Sequence, residues 1–84
     1  MADLVYTNTF LTVFSELSVR EQGLIIDHLE LLQSFPEMYP VADRGPRVFR
    51  GLRHFAAGNW QVYYDHTGGT IYLRSLWPAR ILYR

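Results

Sequence analysis

The spacing of apolar residues changes period twice along these 84 residues. Leu4 to Thr7, with Val5 and Tyr6, is short and β-like and reads as a first strand. Phe10, Val13, Phe14 and Leu17 then recur at i, i+3, i+4 and i+7, which puts four large apolar groups on one helical face, with Thr7, Asn8 or Thr9 available as caps. Ser18-Val19-Arg20-Glu21 has the form of a capping box and predicts a second helix from about Val19 to Phe35, stopped by Pro36. Within it Leu24, Ile25, Leu29, Leu32 and Phe35 form the expected buried stripe, and Glu21, Asp27, Glu30 and Gln33 the wet one. Gly23 interrupts this helix at a cost of about 1 kcal/mol against alanine; its missing side chain offers the first helix a close approach. With Ser18 as nearly the whole turn, the two helices are expected to form an antiparallel hairpin.

Past the proline-rich stretch 36–46 the period falls toward two. Val48 to Phe55, Trp60 to Asp65 and Ile71 to Arg80 read as three strands. Ala56 to Asn59 and Thr67 to Gly69 are the turns between them; Gly58, Asn59, Gly68 and Gly69 are able to take positive φ. The expected fold is α+β, in the order β-α-α-β-β-β: a helical hairpin packed on one face of a four-stranded, largely antiparallel sheet. The other face is then open for binding. The length suits one domain spanning 1–84.

Charge sharpens this picture. Residues 1–43 hold seven acids against Arg20, whereas 44–84 hold seven arginines against Asp65, so a neutral chain is strongly polar along its length. Every basic residue is arginine, whose planar fork suits phosphate and stacks on bases; a genome rich in G and C is a sufficient reason for the missing lysines but not for the clustering. An arginine-laden meander with interleaved tyrosines points to a polyanion. With no cysteine there are neither disulfides nor thiolate metal sites, and His28, His54 and His66 lack zinc-ligand spacing. Gly68-Gly69 is a hairpin turn, not a phosphate loop. No cofactor, metal or small-molecule substrate is expected. The start of the chain has no signal-peptide or membrane-spanning pattern, so a cytoplasmic location is expected.

Gly51-Leu52-Arg53, Trp60-Gln61-Val62-Tyr63-Tyr64 and Tyr72-Leu73-Arg74-Ser75-Leu76-Trp77-Pro78-Ala79-Arg80, together with the helical pair and the Pro36 stop, resemble the RelE/ParE toxins of bacterial toxin–antitoxin systems. The resemblance spans nearly the whole chain. It implies two helices on a four-stranded sheet and a cognate antitoxin that wraps and blocks the toxin. It also implies one of two targets. RelE-like members cut messenger RNA on the ribosome, and ParE-like members inhibit DNA gyrase without catalysis. The chain departs from the pattern at Trp77-Pro78-Ala79, where many members carry a histidine.

Cutting RNA by 2′-hydroxyl attack needs a base, an acid and cations around the phosphate. Arg53, Arg80 and Arg74 are the expected phosphate-holding catalytic arginines, and Tyr83 the expected proton-transfer residue, with His54 and His66 beside it. Arg50, His54, Arg47 and Arg84 are expected to bind nucleic acid. Each has an ordinary alternative. Arg53 equally serves to tie sheet to helices, Tyr83 to cover a sheet edge, the histidines to fill strand and turn positions, and Trp60 and Trp77 to pack the core or an antitoxin groove. The expected function is a ribosome-dependent messenger endonuclease. A gyrase inhibitor is the alternative, and a toxin-fold protein that no longer poisons is a third reading.

Overall fold

The computed structural model describes residues 1–43 and 47–82. Strand β1 is Asp3–Tyr6, and helices α1 and α2 are Asn8–Phe14 and Val19–Ser34. A 3-10 turn at Arg47–Phe49 precedes strands β2 (Arg53–Ala57), β3 (Trp60–Thr67) and β4 (Thr70–Pro78), and a short helix α3 (Ala79–Leu82) follows. The class is α+β, but the four-stranded sheet, in the order β1-β4-β3-β2, is mixed. β2–β3 and β3–β4 are antiparallel, whereas β1 lies parallel to β4, pairing Asp3 with Thr70 and Tyr6 with Leu73.

The local chemistry explains the boundaries. The Thr7 side chain caps α1 by accepting from the Phe10 amide and also donates 2.6 Å to the Leu73 carbonyl, so one residue both starts the helix and anchors it to β4. Ser18 and Glu21 complete the capping box in both directions. Gly68 and Gly69, at φ +56° and +79°, form the two-residue turn whose twist suits an antiparallel hairpin. Gly58 takes φ +61° while Asn59 does not enter positive φ.

The main core lies between the helices and one sheet face. Phe10, Ile25, Leu29 and Leu32 meet Phe55, Val62, Tyr64, Ile71, Leu73 and Leu76. Alternation along the strands sends the intervening side chains to the other face. That face is not bare: Ala42, Phe49 and Tyr63 form a second small cluster there, joined by Leu52, with Phe49 stacked on Tyr63 at 4.2 Å.

Several expectations are corrected. Residues 48–52 are not strand: the 3-10 turn and Gly51, at φ +91°, bend the chain before β2 begins. The link between α1 and α2 is four residues, Ser15 to Ser18, because α1 ends at Phe14. α1 packs chiefly on β4 and α2 on β2, and a bond from Gln22 Nε2 to the Phe14 carbonyl (2.9 Å) ties the end of one to the start of the other. Leu24 and Phe35 fall outside the buried stripe, at 40% and 58% exposed, Phe35 being the C-cap beyond the last helical turn. Gly23 serves no close approach, since a Cβ there meets nothing within 4 Å. Glu21 and Gln33 are engaged rather than simply wet, bonding Trp60 and Ala2. Among the described residues no helix is long and apolar enough to cross a membrane.

Candidate nucleic-acid interface

The arginines expected to meet around one phosphate are divided between the two faces. Arg53 shares a face with Phe55 and Ala57, the helix side. Its Nη1 donates to the carbonyls of Tyr39 (2.8 Å) and Glu37 (3.4 Å). Arg53 therefore pins the 36–40 loop from the helix side. The tie goes to backbone carbonyls rather than to a helix acid. Tyr64, beside it, donates to the Pro36 carbonyl (2.9 Å); burial pushes its hydroxyl up to about 12, against a smaller opposing pull from Arg53.

Arg74 lies on the opposite, open face, at an irregularity. Tyr63 pairs with Ser75 and Tyr64 with Leu73, which leaves Arg74 as the extra residue of a bulge. Its Nε and Nη2 both reach Asp65 Oδ2, at 3.0 and 2.9 Å, and its guanidinium sits 4.9 Å over the Tyr72 ring. Asp65, the one acid of the second half, thus neutralises it. Arg80 is on α3 rather than at the end of β4. It is exposed and lines a cleft of about 490 Å³ with Glu21, Gly58, Trp60 and Pro78. In that cleft Trp60 Nε1 donates to Glu21 Oε2 at 2.6 Å. This bond, ahead of those from Ser18, holds the Glu21 carboxyl below its ordinary value. Arg47 and Arg50 are exposed on and just after the 3-10 turn, with no side-chain partner among the described residues. The catalytic candidate Tyr83, the binding candidate Arg84 and Arg44 lie outside the described residues.

What the open face does assemble is a different group. His54, Tyr63 and Ser75 lie in register across β2, β3 and β4, and Ala56, Gln61 and Trp77 form the next row. His54 Nδ1 and Gln61 Nε2 are 2.6 Å apart. Gln61 is only 4% exposed, so its amide needs a partner, and His54 supplies one. The His54 ring leans on Tyr63 at 5.7 Å, and Trp77, 40% exposed, meets the edge of Phe49. The other histidines are elsewhere. His28 bonds the Tyr39 hydroxyl (2.7 Å) and stacks on Phe55. His66 lies on the helix side, its Nδ1 3.5 Å from Glu37 Oε2.

Gln61 escaped the sequence reading as a site residue. The signal was present: Trp60, Val62 and Tyr64 alternate onto one face, so Gln61, Tyr63 and Asp65 share the other. No His, Asp or Glu cluster able to hold a metal occurs among the described residues. The chain matches no protein-family model and no curated protein sequence.

Proposed function

We infer that this chain is a toxin of the RelE/ParE kind, cytoplasmic and held inactive by a cognate antitoxin, and that it cuts messenger RNA on the ribosome without a metal. The observation that carries this reading is the open sheet face. Among the described residues it combines arginines without side-chain partners at one rim, Arg47 and Arg50, with the half-exposed Trp77 and the half-buried His54 and Ser75, around a centre filled by Phe49 and Tyr63. Cations that track a backbone beside an aromatic that stacks a base are the ingredients of single-strand binding. Primer extension on a reporter messenger in a reconstituted translation system tests it. Cuts confined to translated codons are expected; an intact messenger overturns the reading.

A second reading, gyrase inhibition without catalysis, is favoured by one observation. Arg53 and Arg74, two of the arginines wanted around a phosphate, are already engaged within the fold. Loss of supercoiling by purified gyrase at micromolar protein would support it, and full supercoiling would remove it.

One stripe of exposed apolar groups runs along α2 and past its end: Leu24, Leu31, Phe35 and Met38. That stripe, beside Asp27, suits an amphipathic antitoxin segment with basic flanks.

A further inference from the structure

RNA cleavage needs a group that moves a proton, and arginines do this poorly at neutral pH. We propose that His54 is the base that takes the 2′-hydroxyl proton and that Gln61 is the positioning residue that holds its ring; this rests on the ribonuclease reading above.

Three observations converge on this pair. First, His54 is the histidine placed on the open face; His28 is committed to Tyr39 and Phe55, and His66 is on the helix side. Second, the ring is held from behind. Gln61 is buried and contacts Nδ1, so Nε2 is the nitrogen left for a ligand. A glutamine amide has nearly the same shape either way round. With its oxygen at Nδ1 it accepts the Nδ1 proton, and Nε2 is then bare and basic. The same contact persists once the ring is charged, because the imidazolium still carries that proton. Third, His54 is only half-buried, at the side of the Phe49–Tyr63 stack that fills the centre of this face. Ala56 and Ser75 are the small residues of the two rows. Ideal sheet spacing puts the His54 and Trp77 Cα atoms about 12 Å apart across β2, β3 and β4. A base stacked on Trp77 therefore leaves a nearby phosphate within reach of the ring.

The step is a transesterification. His54 Nε2 takes the proton of the 2′-hydroxyl, and the 2′ oxygen forms a bond to phosphorus. The bond from phosphorus to the 5′ oxygen breaks with its electron pair on that oxygen, which takes a proton from water. The imidazolium returns its proton to solvent. The products are a 2′,3′-cyclic phosphate and a 5′-hydroxyl end, with no metal or oxidant required. Other titratable or charged groups on this face are Tyr63 beside the ring, Tyr72 and the Asp65–Arg74 pair further along the sheet, and Arg47 and Arg50 on the preceding turn. The Asp65–Arg74 pair is internally neutralised, so the ring is the natural proton carrier of the face.

The test uses the full chain in the reconstituted translation system, reading single-turnover cleavage against pH, ribosome binding and end chemistry. His54→Ala and His54→Gln are each expected to lower the rate 100-fold or more, with ribosome binding within twofold of the parent. One limb of the pH profile should disappear, and added imidazole should restore cleavage to His54→Ala. Gln61→Leu should cost about tenfold in rate. Gln61→Glu should keep the rate but move that limb to higher pH, because a carboxylate behind the ring favours its charged form. Should His54→Ala fold poorly, His54→Gln carries the test. Cleavage by both within threefold of the parent, on an unchanged pH profile, overturns the inference and leaves the ribonuclease reading standing. No cleavage by the parent chain overturns both.

Discussion

Arg53 shows how little an arginine's position in sequence says about its use. It follows Gly51-Leu52, heads a strand and sits among other arginines, which invites a phosphate-binding role. Yet it shares a face with Phe55 and Ala57, and its Nη1 holds two loop carbonyls. Arg53→Met should therefore lower stability by about 1–2 kcal/mol in urea unfolding, while leaving the affinity for single-stranded RNA unchanged. A large loss of RNA affinity with intact stability would contradict this placement. Tyr64 gives a second test at this scale. Its hydroxyl is raised to about 12 in the fold, against about 10 in an unfolded chain. Below pH 10 both states hold the proton and nothing is lost. Between about pH 10 and 12 the unfolded chain gives it up first, so stability falls by about 2–3 kcal/mol across that window. Tyr39, also raised by burial, adds to the same slope. Tyr64→Phe should flatten much of the decline in alkaline thermal melts.

At the scale of elements, glycines separate into two kinds. Gly23 is helical, and a Cβ there meets open space, so Gly23→Ala should stabilise the protein by about 0.8 kcal/mol. Gly58 is the opposite case. It holds φ +61°, and an added Cβ comes within 3.2 Å of Leu24 Cδ1. Gly58→Ala should destabilise by about 1–2 kcal/mol. Paired thermal melts of the two variants check both signs at once. Elements with strong local signals were legible in the sequence: the capping box, the Pro36 stop and the Gly68-Gly69 hairpin all depend on a few adjacent residues. The strand expected over 48–52 failed because Phe49 finds its burial against Tyr63 on the open face, a contact no local period encodes. The bulge at Arg74 escaped for a similar reason. It depends on the register between β3 and β4, and it decides where the side chain meets Asp65. The candidate site was legible as residue types. The partition of those residues between faces required strand parity and register together.

At the scale of the molecule, acidic and basic residues are less cleanly separated than the two halves of the sequence suggest. Arg53 joins the helix side, and Asp65 sits on the open face with Arg74. Among the described residues, the positive charge of the open side without a side-chain partner is at Arg47 and Arg50. Replacing both by alanine should reduce the salt dependence of RNA binding by about two phosphate contacts in a titration from low to moderate salt. An unchanged slope would place the nucleic acid elsewhere. The apolar stripe on α2 makes a separate claim. Leu31→Lys with Phe35→Glu should abolish capture by the proposed antitoxin in a co-purification, with the melting temperature nearly unchanged because both side chains are exposed.

The parallel pairing of β1 with β4 fixes the order in which the protein is able to come into being. Residues 3–6 leave the ribosomal tunnel well before their partners at 70–73. The β3–β4 hairpin needs only its own neighbours, whereas β1 has to wait for almost the whole chain before it has an edge to join. Until then β1 has no partner and α1 lacks its floor. A nascent chain of this kind keeps an unfinished sheet until β4 has been made, so the N-terminal strand is synthesised early and placed late.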